Sequence, residues 1–160
     1  MVRTKFAKKE VKEYEQRVLE LARVTRVVAG GKRMSFRATV LIGNKLGKIG
    51  LGIAKGADVT QAVDKAVNQA KKDMLEITII NGTIPFEVAA KYSAARIILK
   101  PAAKGRGVVA GGAVRWVLML AGIPNISAKI IGRTSNAINN ARATFVALGY
   151  FAKNKHYIQK

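Results

Sequence analysis

Between Arg23 and Ala54 the chain passes through three stretches of alternating character, separated by two glycine-bearing turns. A side-chain period of two suits a sheet with one buried face and does not suit an amphipathic helix. The first stretch, Arg23-Val24-Thr25-Arg26-Val27-Val28, is rich in β-branched residues, which pack well on a pleated surface. The second places Phe36, Ala38, Val40 and Ile42 on one face. The third places Ile49, Leu51 and Ile53 on one face and leaves the other bare at Gly50 and Gly52. Turns at Ala29-Gly30-Gly31-Lys32-Arg33 and Gly43-Asn44-Lys45 then predict an antiparallel meander of three strands.

Helical spacing brackets this meander. Over residues 8–23, Val11, Tyr14, Val18, Leu21 and Ala22 predict an amphipathic helix. After the meander, Asp58 stands as an N-cap, with Gln61 placed as in a capping box. The helix it opens has Val59, Val63, Ala66, Val67, Ala70 and Met74 as its apolar stripe, completing a β-β-β-α unit.

The second half repeats the strands-then-helix order. Asn81-Gly82 between the apolar runs 77–80 and 83–88 is a strong hairpin signal, and Pro85 puts the second run at an edge or bulge. Residues 96–100 predict another strand. A glycine-rich loop over 104–112 leads into a helix with Val114, Val117, Leu118 and Ala121 inward, stopped by Gly122. A strand over 126–131 follows, then a helix capped by Ser135 or Asn136, with Ile138, Ala141, Phe145 and Leu148 on one side. The expected fold class is therefore α+β, with two small sheet-and-helix domains. Residues 1–20 form a helical extension, 21–76 and 77–149 the two domains, and 150–160 a loose basic tail with Lys153, Lys155, His156 and Lys160.

Charge narrows the function. The chain has 29 Lys and Arg against 9 Asp and Glu, a formal net charge of +20. No acidic residue lies between Glu20 and Asp58, and none follows Glu87. Ordinary solvated surfaces mix both signs, so two long acid-free stretches point to a polyanion on both halves, and nucleic acid above all. A membrane surface is the rival, but the basic residues are spread over strands and loops instead of one amphipathic helix. No stretch is apolar and long enough to span a bilayer, and the start of the chain lacks a signal run, which predicts a cytoplasmic protein. The absence of cysteine excludes disulfides and thiolate metal sites.

Catalytic chemistry finds little support. His156 is the sole histidine, and the carboxylates form no acid–base or metal-ligating pattern, so no catalytic residue, metal, cofactor or small-molecule substrate is expected. Gly50-x-Gly52 before a helix fails as a dinucleotide fingerprint because Lys55 stands where the third glycine belongs. The bare face could admit an RNA backbone or a closely packed helix. Gly31-Lys32 and Gly47-Lys48 lack the Ser or Thr that follows a phosphate-loop lysine. The 104–112 loop could hold an anion on its amides, beside Lys104 and Arg106, or merely turn sharply. At the first turn a positive finger without bulky side chains suits an RNA groove, which the acid-free surroundings favour over an ordinary solvated turn. Phe36, Phe86 and Phe145 are expected in the core, and Trp116 in the core or an interface. No paired aromatics offer a stacking platform, so recognition by backbone and shape is favoured.

These motifs resemble the ribosomal protein S-five family. The resemblance rests on the segment from Thr25 to Phe36, on Gly47-Lys48-Ile49-Gly50-Leu51-Gly52-Ile53-Ala54-Lys55, and on Pro101-Ala102. Gly105-Arg106-Gly107-Val108-Val109-Ala110-Gly111-Gly112, Arg115, Ala121-Gly122, Gly132, Thr134, Asn136, Asn139 and Arg142-Ala143-Thr144 continue it in order. Departures are Ala29 for a usual Lys, Ala54 for a common Gly, Met119 for a usual Glu and Ala137 for a usual Pro. The resemblance implies a first domain like the double-stranded-RNA-binding fold without its first helix, and a second with a left-handed β-α-β connection. It also implies a structural place in the small ribosomal subunit, with proteins S-four and S-eight as neighbours. Roles in assembly, translational accuracy and the tunnel through which mRNA enters are implied as well.

Basic stretches and matching motifs together give the expected rRNA-binding set: Arg23, Thr25, Arg26, Gly30, Gly31, Lys32, Arg33, Ser35, Arg37, Lys48, Gly50, Gly52, Lys55, Lys129 and Arg133. The resemblance implies a protein-facing set at Lys104, Arg106, Gly107 and Arg115. Rival readings are a free-standing RNA chaperone or assembly factor, and an enzyme with a phosphate site at the 104–112 loop.

Overall fold

A computed structural model of the chain describes residues 14–152. Its first sheet holds β1 (Glu15–Val28), β2 (Gly31–Gly43), β3 (Lys48–Gly56) and β4 (Met74–Glu76) in the order β1-β2-β3-β4, antiparallel throughout. Helix α1 (Val59–Lys72) joins β3 to β4. The second sheet holds β5 (Val88–Tyr92), β6 (Ala95–Pro101), β7 (Val108–Val109) and β8 (Ile126–Ile130) in the order β5-β6-β8-β7. Helix α2 (Gly112–Ala121) connects the parallel pair β7 and β8, and α3 (Ala137–Gly149) follows. The chain is thus α+β with two sheet-and-helix units.

The first sheet is covered on both sides. On one face Ala38, Val40 and Ile42 pack with Ala62, Ala66 and Ala70 of α1. Register places Val40 opposite Gly52 and Ile42 opposite Gly50, so the glycine face lies under the same helix. A Cβ at Gly50 or Gly52 would overlap the carbonyl oxygens of Ala70 and Ala66. The bare face therefore lets α1 lie close, and Gly50 and Gly52 are buried helix-packing positions, not an RNA-facing surface. The same fit moves the centre of α1's buried stripe to Ala62, Ala66 and Ala70, with Val63 and Val67 on its flanks. The Asp58 carboxylate caps α1 by accepting from the Val59 amide and the Thr60 hydroxyl. Its side-chain partner is Thr60 in place of Gln61.

On the other face Leu41, Ile49 and Leu51 join one continuous core with Val114, Val117 and Leu118 of α2, Phe145 and Leu148 of α3, and Ile97 and Leu99 of β6. The layers run α1, first sheet, α2 with α3, second sheet. Backbone bonds tie the units together: Lys45 and Gly47 donate to the carbonyls of Leu120 and Ala121, and Thr78 donates to Phe151. Arg17 of β1 also stacks its guanidinium over Trp116 of α2, 3.8 Å from the ring centroid. Trp116 is thereby half-buried against the core.

Three expectations change. The helix over 8–23 is a strand from Glu15 onward, and its earlier part lies outside the described residues. A bulge between Val18 and Glu20 explains the misleading pattern. One extra residue breaks the strict alternation, so Val18 and Leu21 fall three apart as they would on a helix. The Asn81-Gly82 turn forms, with both residues at positive φ and reciprocal bonds between Ile80 and Thr83. It closes only an isolated bridge, because Pro85 lacks the N–H a ladder needs. The strand expected over 83–88 begins at Val88 instead. Phe86 is 53% exposed, edge-on to Phe151, and does not join the core.

Candidate nucleic-acid interface

Strands β1 and β2 run beyond the rest of their sheet. β3 pairs with β2 only from Phe36 to Gly43, whereas β1 pairs with it from Gly31. Residues 24–28 and 31–35 therefore form a two-stranded ribbon that projects past the edge of β3. Directly opposed residues in a sheet share a face, and the face alternates along each strand. One face of the ribbon and its root accordingly carries Arg26 opposite Arg33, then Val24 opposite Ser35, then Ala22, Arg37 and Lys55 across three strands. The other carries Val27 opposite Lys32, Thr25 opposite Met34, and Arg23 opposite Phe36.

The first face gathers positive charge. Arg26 and Arg33 oppose one another, and like charges so placed destabilise a strand pair. Neither enters an ion pair among the described residues. At the root Arg37 donates to Glu20 at 3.0 Å, with Lys55 beside it in register. The second face mixes Arg23 and Lys32 with exposed apolar surface, Val27 at 76% and Met34 at 50%.

The tip is unencumbered. A Cβ at Gly30 would meet nothing within 4 Å, and its φ lies outside the left-handed range. Among the described residues neither packing nor backbone conformation requires a glycine there. Gly31, at φ 136°, does need one. Gly30 thus stands in open space at the tip of the ribbon.

The ribbon and its root bring together Arg23, Thr25, Arg26, Gly30, Gly31, Lys32, Arg33, Ser35, Arg37 and Lys55. Lys48 is exposed but starts β3 at the end far from the ribbon, opposite Glu76. Lys129 and Arg133 are exposed on and just after β8 of the other sheet. The 104–112 loop is not an open anion nest, since Asn125 Oδ1 already accepts from the amides of Gly105 and Gly107 at 3.0 and 3.2 Å. Lys104, Arg106 and Arg115 remain exposed, and Gly107 is half-buried at φ 74°. Sequence reasoning missed Asn125, whose distance of eighteen to twenty residues from its partners leaves no local signal.

Among the described residues no cluster of His, Cys, Asp or Glu could hold a metal ion, and no helix is long and apolar enough to cross a membrane. A cleft of about 530 Å³ between β3, α1 and α3 is lined by Leu51, Ile53, Lys72, Tyr92, Arg142 and Phe145. Arg142 is held there by the Tyr92 hydroxyl at 2.5 Å.

Comparison with known proteins bears on this geometry. The family model described as "Ribosomal protein S5, N-terminal domain" matches residues 14–78, and "Ribosomal protein S5, C-terminal domain" matches 90–157. The chain is 48% identical over 139 residues to the small ribosomal subunit protein uS5 of Thermotoga neapolitana, covering 87% of this chain and 78% of the relative. It is 48% identical over 147 residues to that of Nostoc punctiforme, covering 91% and 83%. With uS5c of Guillardia theta it shares 47% over 142 residues, covering 88% and 83%. Both domain models fall in order on the two sheet-and-helix units, and the chain belongs to the ribosomal protein S5 family.

Proposed function

We propose that this chain is a structural, non-catalytic constituent of the small ribosomal subunit, working in the cytoplasm within the ribosome and binding small-subunit rRNA through the β1–β2 ribbon. The observation that carries the RNA contact is the opposed Arg26–Arg33 pair below an unencumbered Gly30 tip. A polyanion against that face converts a repulsive pair into two charge-assisted contacts, and backbone contacts of this kind fix register without reading sequence. Family membership supports the ribosomal placement. Within it, support of assembly and translational accuracy, a position beside the tunnel through which mRNA enters, and neighbours S-four and S-eight are the finer reading. Lys104, Arg106, Gly107 and Arg115 serve there as the protein-facing set.

The test is binding of the purified chain to small-subunit rRNA, alone and with S-four and S-eight, across salt. Saturable binding strengthened by those proteins is expected. Affinity should fall about a thousandfold or more between roughly 50 and 200 mM salt if about six phosphates are contacted. Binding indifferent to RNA identity and to the partner proteins would favour a free-standing RNA chaperone.

A further inference from the structure

The first sheet ends on β4, whose outer edge carries no named strand among the described residues. Ile77 donates its amide to Gly47 on the β3 side, and Thr78 donates to Phe151 on the outer side. Alternation along the strand therefore turns the amides and carbonyls of Met74 and Glu76 away from β3, toward that edge. The chain comes back to the edge after α3, where Ala152 forms an antiparallel bridge with Ile77. Beside the start of β4 opens the cleft between β3, α1 and α3, with Leu51, Ile53, Met74, Tyr92, Phe145 and Val146 as its apolar walls. Asp73 also lines it, exposed and outside every ion pair among the described residues.

We infer that this edge and cleft are a docking site for the chain's own residues 153–158, which lie outside the described residues. They add to β4 as a fifth strand and seat Tyr157 and Ile158 in the cleft. The bridge at Ile77 and Ala152 supplies direction and register. Carried forward, it sets Lys153 opposite Glu76, Lys155 opposite Met74 and His156 opposite Asp73. Charge agrees with that register, since Glu76 and Asp73 are two of nine acidic residues in the chain, and each falls across from a Lys or His. Reach agrees as well. From Ile77 back to Met74 is three residues, about 10 Å of strand, so Tyr157-Ile158 arrives just past the start of β4, where the cleft opens. Those two are the only apolar side chains between Lys153 and Lys160. The added strand closes an edge that would otherwise accept another chain, and it fastens the end of the second unit to the sheet of the first.

The chain has no cysteine, so disulfide trapping in the full-length protein reads the register without background. Met74→Cys/Lys155→Cys puts thiols on directly opposed residues, at a Cα separation that a disulfide spans. Met74→Cys/Asn154→Cys is one residue out of register, and such a slip turns the side chain to the opposite face. Mild oxidation is expected to close the first pair within one chain and to leave the second pair reduced. Hydrogen exchange adds a readout without new thiols, after thermal unfolding has established that each protein is folded. In the wild type the Met74 and Glu76 amides should be protected. Protection at Met74 should be lost in Lys155→Pro, which cannot donate to the edge, and at both amides in Tyr157→Ser/Ile158→Ser, which lacks the apolar anchor. Equal closure of the two cysteine pairs would overturn the inference, as would wild-type amides that exchange as fast as those of the variants. Disulfides that join two chains would put a second copy on the edge and overturn it too.

Discussion

Arg26 and Arg33 face each other across the ribbon, neither enters an ion pair among the described residues, and such opposition of like charges is what the proposed RNA contact would relieve. Arg33→Gln should hold or raise thermal stability, by up to about 1 kcal/mol, because a repulsive cross-strand pair is removed. The same change should weaken rRNA binding and reduce its salt slope by about one. A variant that lost stability and kept its affinity would contradict the assignment. Gly52 makes the opposite case. Gly52→Ala drives a Cβ into the Ala66 carbonyl, and overpacking of this kind costs roughly 1–3 kcal/mol. Denaturant unfolding should register that loss, while the affinity of the folded fraction for rRNA stays near wild type. Both positions lie in sequence motifs of equal prominence, yet one is proposed to serve a partner and the other packs against a helix. Alternation announced that Gly50 and Gly52 share a bare face. Which object fills that face depends on where α1 folds back, and strand period alone does not contain it.

Among the elements, those with local causes were legible. Alternation in β2 and β3, the Asp58 cap of α1, the Gly122 stop of α2 and the Asn136 cap of α3 each depend on residues within one turn of one another. Asn136 accepts from the amides of Ile138 and Asn139, so Asn136→Ala should cost about 1 kcal/mol of stability, measurable by chemical denaturation. Elements defined by distant pairing were less legible. β1 takes its strand character from thirteen partnered residues of β2 and hides it behind a bulge, so its apolar spacing imitates a helix. β4 is three residues long and exists because β3 offers it an edge. β5 is VAAKY, a sequence with little β preference of its own that pairs in full with β6. The site divides the same way: the ribbon's charges were readable as a local cluster, whereas the Asn125 bonds across the 104–112 loop were not.

At the scale of the whole molecule, the two units share one core instead of packing as separate bodies, and Arg17 stacked on Trp116 is a contact that reports on their union. Trp116 is the only tryptophan, so Arg17→Ala should shift its emission and cost about 0.5–1 kcal/mol, with unfolding remaining a single transition. The shared core and the backbone bonds between the units set the bearing of the ribbon to the rest of the surface. The absence of cysteine allows this to be tested where it matters, since Ala29→Cys creates a sole thiol at the ribbon tip. The direct measurement tethers an iron chelate to that thiol, assembles the protein into small subunits and maps radical cleavage of the rRNA. The account predicts strong cuts confined to a few neighbouring segments of small-subunit rRNA, lost when unlabelled wild type competes. A labelled protein that enters the subunit and leaves the rRNA uncut would contradict the ribbon as its RNA contact.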